Sequence, residues 1–233
     1  MNGIGMLLAA PAESSLEQQL MAIFSQLGEG CLVTLQIFFL TLLLSLPLGL
    51  LVAFGRMSKN PVVQWIFKIY ISIMRGTPLM LQLMVVYFGP NLIFGLKISS
   101  SYRFVAAIIA FVLNYAAYFA EIYRGGIQSM PKGQYEAAEV LGFTKRQTFF
   151  KIILPQVIKQ ILPAVTNEVI TLVKDTSLAF VISVSEMFTA AKTLASAQVS
   201  VVPYLFAGIF YFVMNYVVAF AMERLEKKFN YYH

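Results

Sequence analysis

Five apolar stretches, residues 31–55, 62–95, 104–123, 158–184 and 202–222, take up most of this chain. A bilayer core about 30 Å thick is crossed by roughly 20 apolar residues in a helix, and a helix satisfies its own backbone hydrogen bonds there. The stretches therefore predict an all-α membrane protein with five transmembrane helices, the second and fourth segments being longer than a crossing requires. Composition agrees: 59% of the 233 residues are hydrophobic, 12% are charged, and the mean hydropathy is +0.75. A soluble domain carries about 25% charged residues, and five spans leave no room for one.

Residue counts exclude several chemistries. The single cysteine, Cys31, and the single histidine, His233, supply no ligand set for zinc, haem or an iron–sulfur cluster. They also supply no nucleophile–histidine arrangement for an intramembrane enzyme. A Gly-x-x-x-x-Gly-Lys-Ser/Thr loop is lacking, so the chain has no phosphate cradle with which to hydrolyse ATP by itself.

Residues 1–12 include an apolar stretch without the basic region of a secretory signal, and are read as a retained tail. Leu16, Leu20, Ile23, Phe24 and Leu27 follow at spacings of three and four, the pattern of an amphipathic helix lying on the membrane surface over 14–27. The expected organisation is an extracytoplasmic tail over 1–28, a membrane domain over 29–226 and a short cytoplasmic tail over 227–233.

Lysine and arginine accumulate in short cytoplasmic loops. Arg56, Lys59, Lys68, Arg124, Lys132, Lys145, Arg146, Lys151, Lys159, Arg224, Lys227 and Lys228 fall on one side of the spans, against Lys97, Arg103 and Lys192 on the other. The segment 124–157 and the C-terminus are thus expected in the cytoplasm and the N-terminus outside. The net charge of +6 reports topology and not nucleic-acid binding.

Segment 129–155 is the one sizeable stretch outside the predicted spans. Pro131 suits the first turn of a helix, 134–141 holds mostly good helix formers, and Gly142 suits the left-handed residue that ends one. Thr144 and Gln147 then have the spacing of a capping box that opens a second helix. Two short helices about a glycine elbow make a compact knob. Ala137 and Ala138 keep one face thin enough to enter a groove on another protein.

Ionisable groups inside spans are costly and mark a pathway or a pairing; here they are Arg75, Glu121, Glu168, Lys174 and Asp175. Arg75-Gly76-Thr77-Pro78 interrupts the second span near its middle, where freed backbone groups need protein or a polar cavity. Asn114, Tyr118 and Glu121 share one face of the third span, and Asn167, Thr171 and Asp175 share one face of the fourth. Two readings stand: a polar passage for a zwitterion, or helix–helix glue in which acidic groups neutralise Arg75 or Lys174.

The array Glu136-Ala137-Ala138, Gly142, Ile152-Ile153-Leu154-Pro155 resembles the EAA loop of binding-protein-dependent ABC importer permeases. Arg75-Gly76-Thr77-Pro78-Leu79 with Gln82, the run from Tyr118 to Ile127, and Lys174-Asp175-Thr176-Ser177-Leu178 are similar to the histidine/glutamine/arginine branch of that family. The resemblance covers about 27–226. It implies a type I importer permease of the methionine-permease-like fold in a bacterial inner membrane. Glu136, Ala137, Ala138, Gly142, Ile152, Leu154 and Pro155 would then form the contact with an ATPase. Arg75, Thr77, Gln82, Asn114, Tyr118, Glu121, Thr171 and Asp175 are the candidate pathway.

Implied partners are a second permease, identical or related, two ATP-binding subunits, and an extracytoplasmic amino-acid-binding protein. This chain would bind no cofactor, with ATP and Mg on the ATPase. A secondary transporter or channel for small polar solutes is the alternative, but it has no use for such a hairpin, and inverted repeats with matching broken helices are not evident.

Overall fold

The computed structural model describes residues 16–229. Helices α1 (Leu16–Arg56), α2 (Pro61–Gly76), α3 (Leu79–Phe94) and α4 (Tyr102–Gln128) come first. The short helices α5 (Lys132–Val140) and α6 (Lys145–Gln147) follow. A π-helical segment, Thr148–Ile153, leads into α7 (Leu154–Asp175), which ends in a 3₁₀ segment, Thr176–Ile182. Helices α8 (Met187–Gln198) and α9 (Val202–Phe229) complete the chain. Among the described residues four helices are long and apolar enough to cross a membrane, or five if α2 and α3 count as one broken span.

The central pair is α1 with α4. Gly49 on α1 lies so close to α4 that an added Cβ would sit 2.9 Å from Cβ of Phe119 and 3.1 Å from the Ala116 carbonyl oxygen. Opposite it α4 buries Ala116, Ala117 and Ala120. Small residues let two backbones approach where lipid supplies no hydrophobic drive between helices, so dispersion and close fit hold the pair. At the other end of α1 a Cβ on Gly30 would sit 2.8 Å from Cα of Met187, which seats α8 against α1. Gly126 makes the corresponding close approach to Val157 and Ile161 of α7.

The chain before the first span departs from the sequence expectation. Residues 16–27 do not form a separate surface helix; they are the first turns of α1, which is 41 residues long and so extends about 62 Å. Ile23 and Leu27 are buried against Met187, Ala191, Leu194 and Ala207 of α8 and α9. Their three-and-four spacing is that of a helix face covered by protein, which in sequence is indistinguishable from a face covered by lipid. Ser14 and Ser15, with the rest of 1–15, lie outside the described residues.

Helix α8 is absent from the sequence reading, which leaves 185–201 without an element. Its N-cap is Glu186, whose carboxylate accepts from the backbone N–H groups of Phe188 and Thr189 at 2.7 and 2.6 Å. The helix is 12 residues long, too short to cross a bilayer. It escapes a search tuned to spans.

Candidate functional site

The hairpin between α4 and α7 has the stops and starts that its residues dictate. Gly142 adopts φ 77°, a left-handed conformation open to a residue without Cβ. Its N–H and that of Phe143 close the end of α5 on the carbonyls of Glu139 and Ala138 at 3.0 Å each. Thr144 Oγ1 accepts from the Gln147 N–H at 3.3 Å while Gln147 Oε1 accepts from the Thr144 N–H at 2.9 Å, the full capping box. Helix α5 begins at Lys132, with Pro131 as its N-cap rather than its first residue.

Sequence spacing alone does not say which side of the knob faces out. Ala138 is buried, whereas Glu136 and Ala137 are exposed. The two alanines thus point in different directions, about 100° apart as successive residues on an α-helix are. Val140 and Leu141 project outward, 87% and 73% exposed. A shallow cavity of about 370 Å³ beside them is lined by Thr144, Arg146, Gln147, Phe150 and Lys151. An exposed apolar tip next in the chain to basic and polar side chains has the make-up of a protein contact surface. Ile152 and Leu154 are half-buried, and Pro155 is exposed where α7 begins.

The break in the second span is a tertiary construction. Helices α2 and α3 meet at 110°. Pro78 has no N–H to offer the carbonyl of Met74, four residues earlier. Two side-chain amides replace it: Gln82 Nε2 donates to the Met74 carbonyl at 2.9 Å, and Asn114 Nδ2 of α4 donates to the same oxygen at 3.0 Å. Asn114 also donates to Gln82 Oε1 at 3.0 Å, and Gln82 Nε2 reaches Thr77 Oγ1 at 2.9 Å. Thr77 Oγ1 itself donates to the Ile73 carbonyl at 2.8 Å.

The candidate pathway residues therefore separate into groups. Thr77, Gln82 and Asn114 fasten the break. Arg75 is exposed beside it, with its guanidinium carbon 5.2 Å from the ring centre of Tyr118, a cation–π contact. Asp175 accepts the hydroxyl of the buried Tyr115 at 2.8 Å, which ties the end of α7 to α4. Asn167 and Thr171 are exposed on α7. Glu121 pairs with Arg124 one turn on, through Arg124 Nε at 3.1 and 3.2 Å from its two carboxylate oxygens.

Among the described residues the ion pairs are Arg124 with Glu121 and Lys227 with Glu223. Neither Arg75 nor Lys174 has a carboxylate oxygen within 4.0 Å among the described residues. Three polar groupings have no counterpart in the sequence reading: Tyr115 with Asp175, the buried Glu186 with the Tyr211 hydroxyl at 3.1 Å, and a glutamine pair at the foot of the hairpin. Each joins positions far apart in the chain, so no local motif announces it. Only the acidic residue ahead of Met187 leaves a trace, as an N-cap. The described residues hold no cluster of His, Cys, Asp and Glu suited to a metal ion.

A helical membrane chain with an exposed knob between two spans and a broken polar span fits the permease that its motifs resemble. Residues 45–231 match the family described as binding-protein-dependent transport system inner membrane component, and the chain belongs to that family. It is 35% identical over 208 residues to the L-cystine transport system permease protein of Bacillus subtilis (strain 168), covering 88% of this chain and 87% of that one. It is 37% identical over 201 residues to the arginine transport system permease protein of the same organism, covering 86% and 90%. The fold superposes on the crystal structure of an amino acid ABC transporter with histidines at a TM-score of 0.82 and 33% identity, covering 90% of this chain and 96% of that chain. It superposes on an inward-facing form of the MetNI methionine ABC transporter at 0.66 and 18% identity, covering 92% and 99%, a likeness of fold. The chain is thus an all-α ABC importer permease of the methionine-permease-like type.

Proposed function

We propose that this chain is the transmembrane permease subunit of an ATP-driven importer of polar amino acids, which an extracytoplasmic binding protein delivers. The carrying observation is the hairpin: Val140 and Leu141 stand out in the open beside Glu136 and a basic-rimmed cavity, on a chain of this family. A separate ATPase subunit docks on that tip, holds ATP and Mg, and passes nucleotide-driven closure through Gly142 and Ile152, Leu154 and Pro155 to α7. The basic residues of the hairpin and the C-terminus support a cytoplasmic position for this end and an outside position for the N-terminus. A second permease, identical or related, completes the passage.

Arg75, Tyr118, Thr171 and Asp175 are the groups of the passage. Cation, ring hydroxyl and carboxylate suit a zwitterion, whose two charges need partners of both signs in a low-dielectric setting. The amino-acid class is supported by the names of the relatives, which cover cystine and arginine, and the named substrates differ enough that selectivity belongs to the binding protein. Copurification from mild detergent tests the reading: an ATP-binding subunit should come down with this chain. Ion-driven uptake by the purified chain without any ATPase would sink it in favour of a secondary transporter.

A further inference from the structure

The hairpin meets α7 through an irregular stretch of helix. Residues 148–153 are π-helical, and the N–H of Leu154 bonds to the Phe149 carbonyl, five residues back. Pro155 explains the local geometry, since it lacks an N–H for the Lys151 carbonyl and its ring crowds that oxygen. A π turn carries one residue more than an α turn and recurs at functional joints in helices. Any displacement of α5 would be absorbed there if the chain were the only link.

A second link bypasses the joint. Gln134 Nε2 donates to Gln156 Oε1 at 2.8 Å, and Gln156 Nε2 donates to Gln134 Oε1 at 2.7 Å, a reciprocal amide pair between residues 22 apart. Gln156 Nε2 also donates to the Ile152 carbonyl at 2.8 Å, which locks its side chain to the π segment it spans. Both glutamines are half-buried, and each amide satisfies a donor and an acceptor of the other. Gln134 sits two residues before Glu136 on α5, and Gln156 is the residue after Pro155 on α7. The far end of α7 carries Asp175, roughly 28 Å away along the helix.

We propose that the Gln134–Gln156 pair is the strut that makes α5 and the base of α7 move as one body, so that a push on the hairpin reaches Asp175. Both are positioning residues, acting through α7 and touching neither nucleotide nor transported molecule. This inference rests on the coupling role proposed above.

The test uses the whole assembly of permease, ATPase and binding protein in phosphatidylethanolamine–phosphatidylglycerol vesicles, with a radiolabelled mixture of the common amino acids. The readout is uptake per ATP hydrolysed. Gln134→Leu and Gln156→Leu should each lower that ratio about tenfold, the shift expected when two net hydrogen bonds are lost from one state. Assembly and basal ATP hydrolysis should persist. The pair Gln134→Glu with Gln156→Lys, which substitutes an ion pair for the amides, should restore most of the ratio. An unchanged ratio in the leucine variants overturns the strut, and so does a ratio that falls only together with loss of the assembled complex. A wild-type assembly that hydrolyses ATP without taking up any amino acid would instead overturn the importer reading itself.

Discussion

The hairpin and the broken span each pair a glycine with a proline, and they satisfy the backbone groups so freed by opposite means. In the hairpin the helix ends are closed locally: the elbow at Gly142 closes on Glu139, and Thr144 and Gln147 cap each other. At the break the orphan carbonyl of Met74 is served by Gln82, eight residues on, and by Asn114, 40 residues on. The hairpin lies at the end of the bundle, where water takes any remaining donors and acceptors. Inside a bilayer no water does so, and a freed carbonyl needs a protein donor brought by another element. The same pair of helix breakers therefore makes a self-sufficient knob in one place and a tertiary joint in the other.

Four substitutions probe that contrast. Gly142→Leu should have the largest effect: a left-handed leucine costs roughly 1–2 kcal/mol at the elbow, and the turn would unwind or re-aim the tip. Uptake in membrane vesicles should be abolished, with the amount of inserted protein unchanged. Normal transport by that variant would remove the coupling role of the hairpin.

Asn114→Leu keeps the volume and removes the donor. With the Met74 carbonyl and Gln82 left short of a partner, the loss should be about 1–3 kcal/mol, read as a lower thermal midpoint of the detergent-purified chain. An unchanged midpoint would mean that the break does not depend on its tertiary repair, and the contrast would collapse.

Thr144→Ala removes one side of the capping box, worth about 1 kcal/mol. Because that repair is local, faster hydrogen exchange should be confined to amides near 145–150, with the midpoint of the spans unmoved. Glu121→Gln should be the mildest, since a half-exposed pair with a neighbour one turn away contributes roughly 0.5 kcal/mol or less. Assembly and basal ATP hydrolysis should survive it. A transport rate altered on that background would place Glu121 on the passage, and loss of assembly would make it structural.

The legible parts share one property. The long spans, the elbow, the capping box and the interruption at Arg75-Gly76-Thr77-Pro78 all rest on residues within one turn or one uniform run. What was not legible depends on distant partners. The periodicity over 16–27 is real, yet only the packing of Ile23 and Leu27 against α8 and α9 distinguishes a buried start of α1 from a helix on lipid. Asn114, Tyr118 and Glu121 share a face by count; in the fold they serve the break, Arg75 and Arg124 respectively. A face of α4 wide enough to hold three residues meets more than one neighbour.

Sequence by itself determined that this chain lives in a bilayer and where a knob interrupts its long apolar helices, because hydrophobic length and local capping need no information from elsewhere. Tertiary structure alone decided that α1 continues through the predicted surface helix, that Met74 is rescued by Gln82 and Asn114, and that Gln134 finds Gln156. Those outcomes turn on which polar group can reach which orphan in a medium without water.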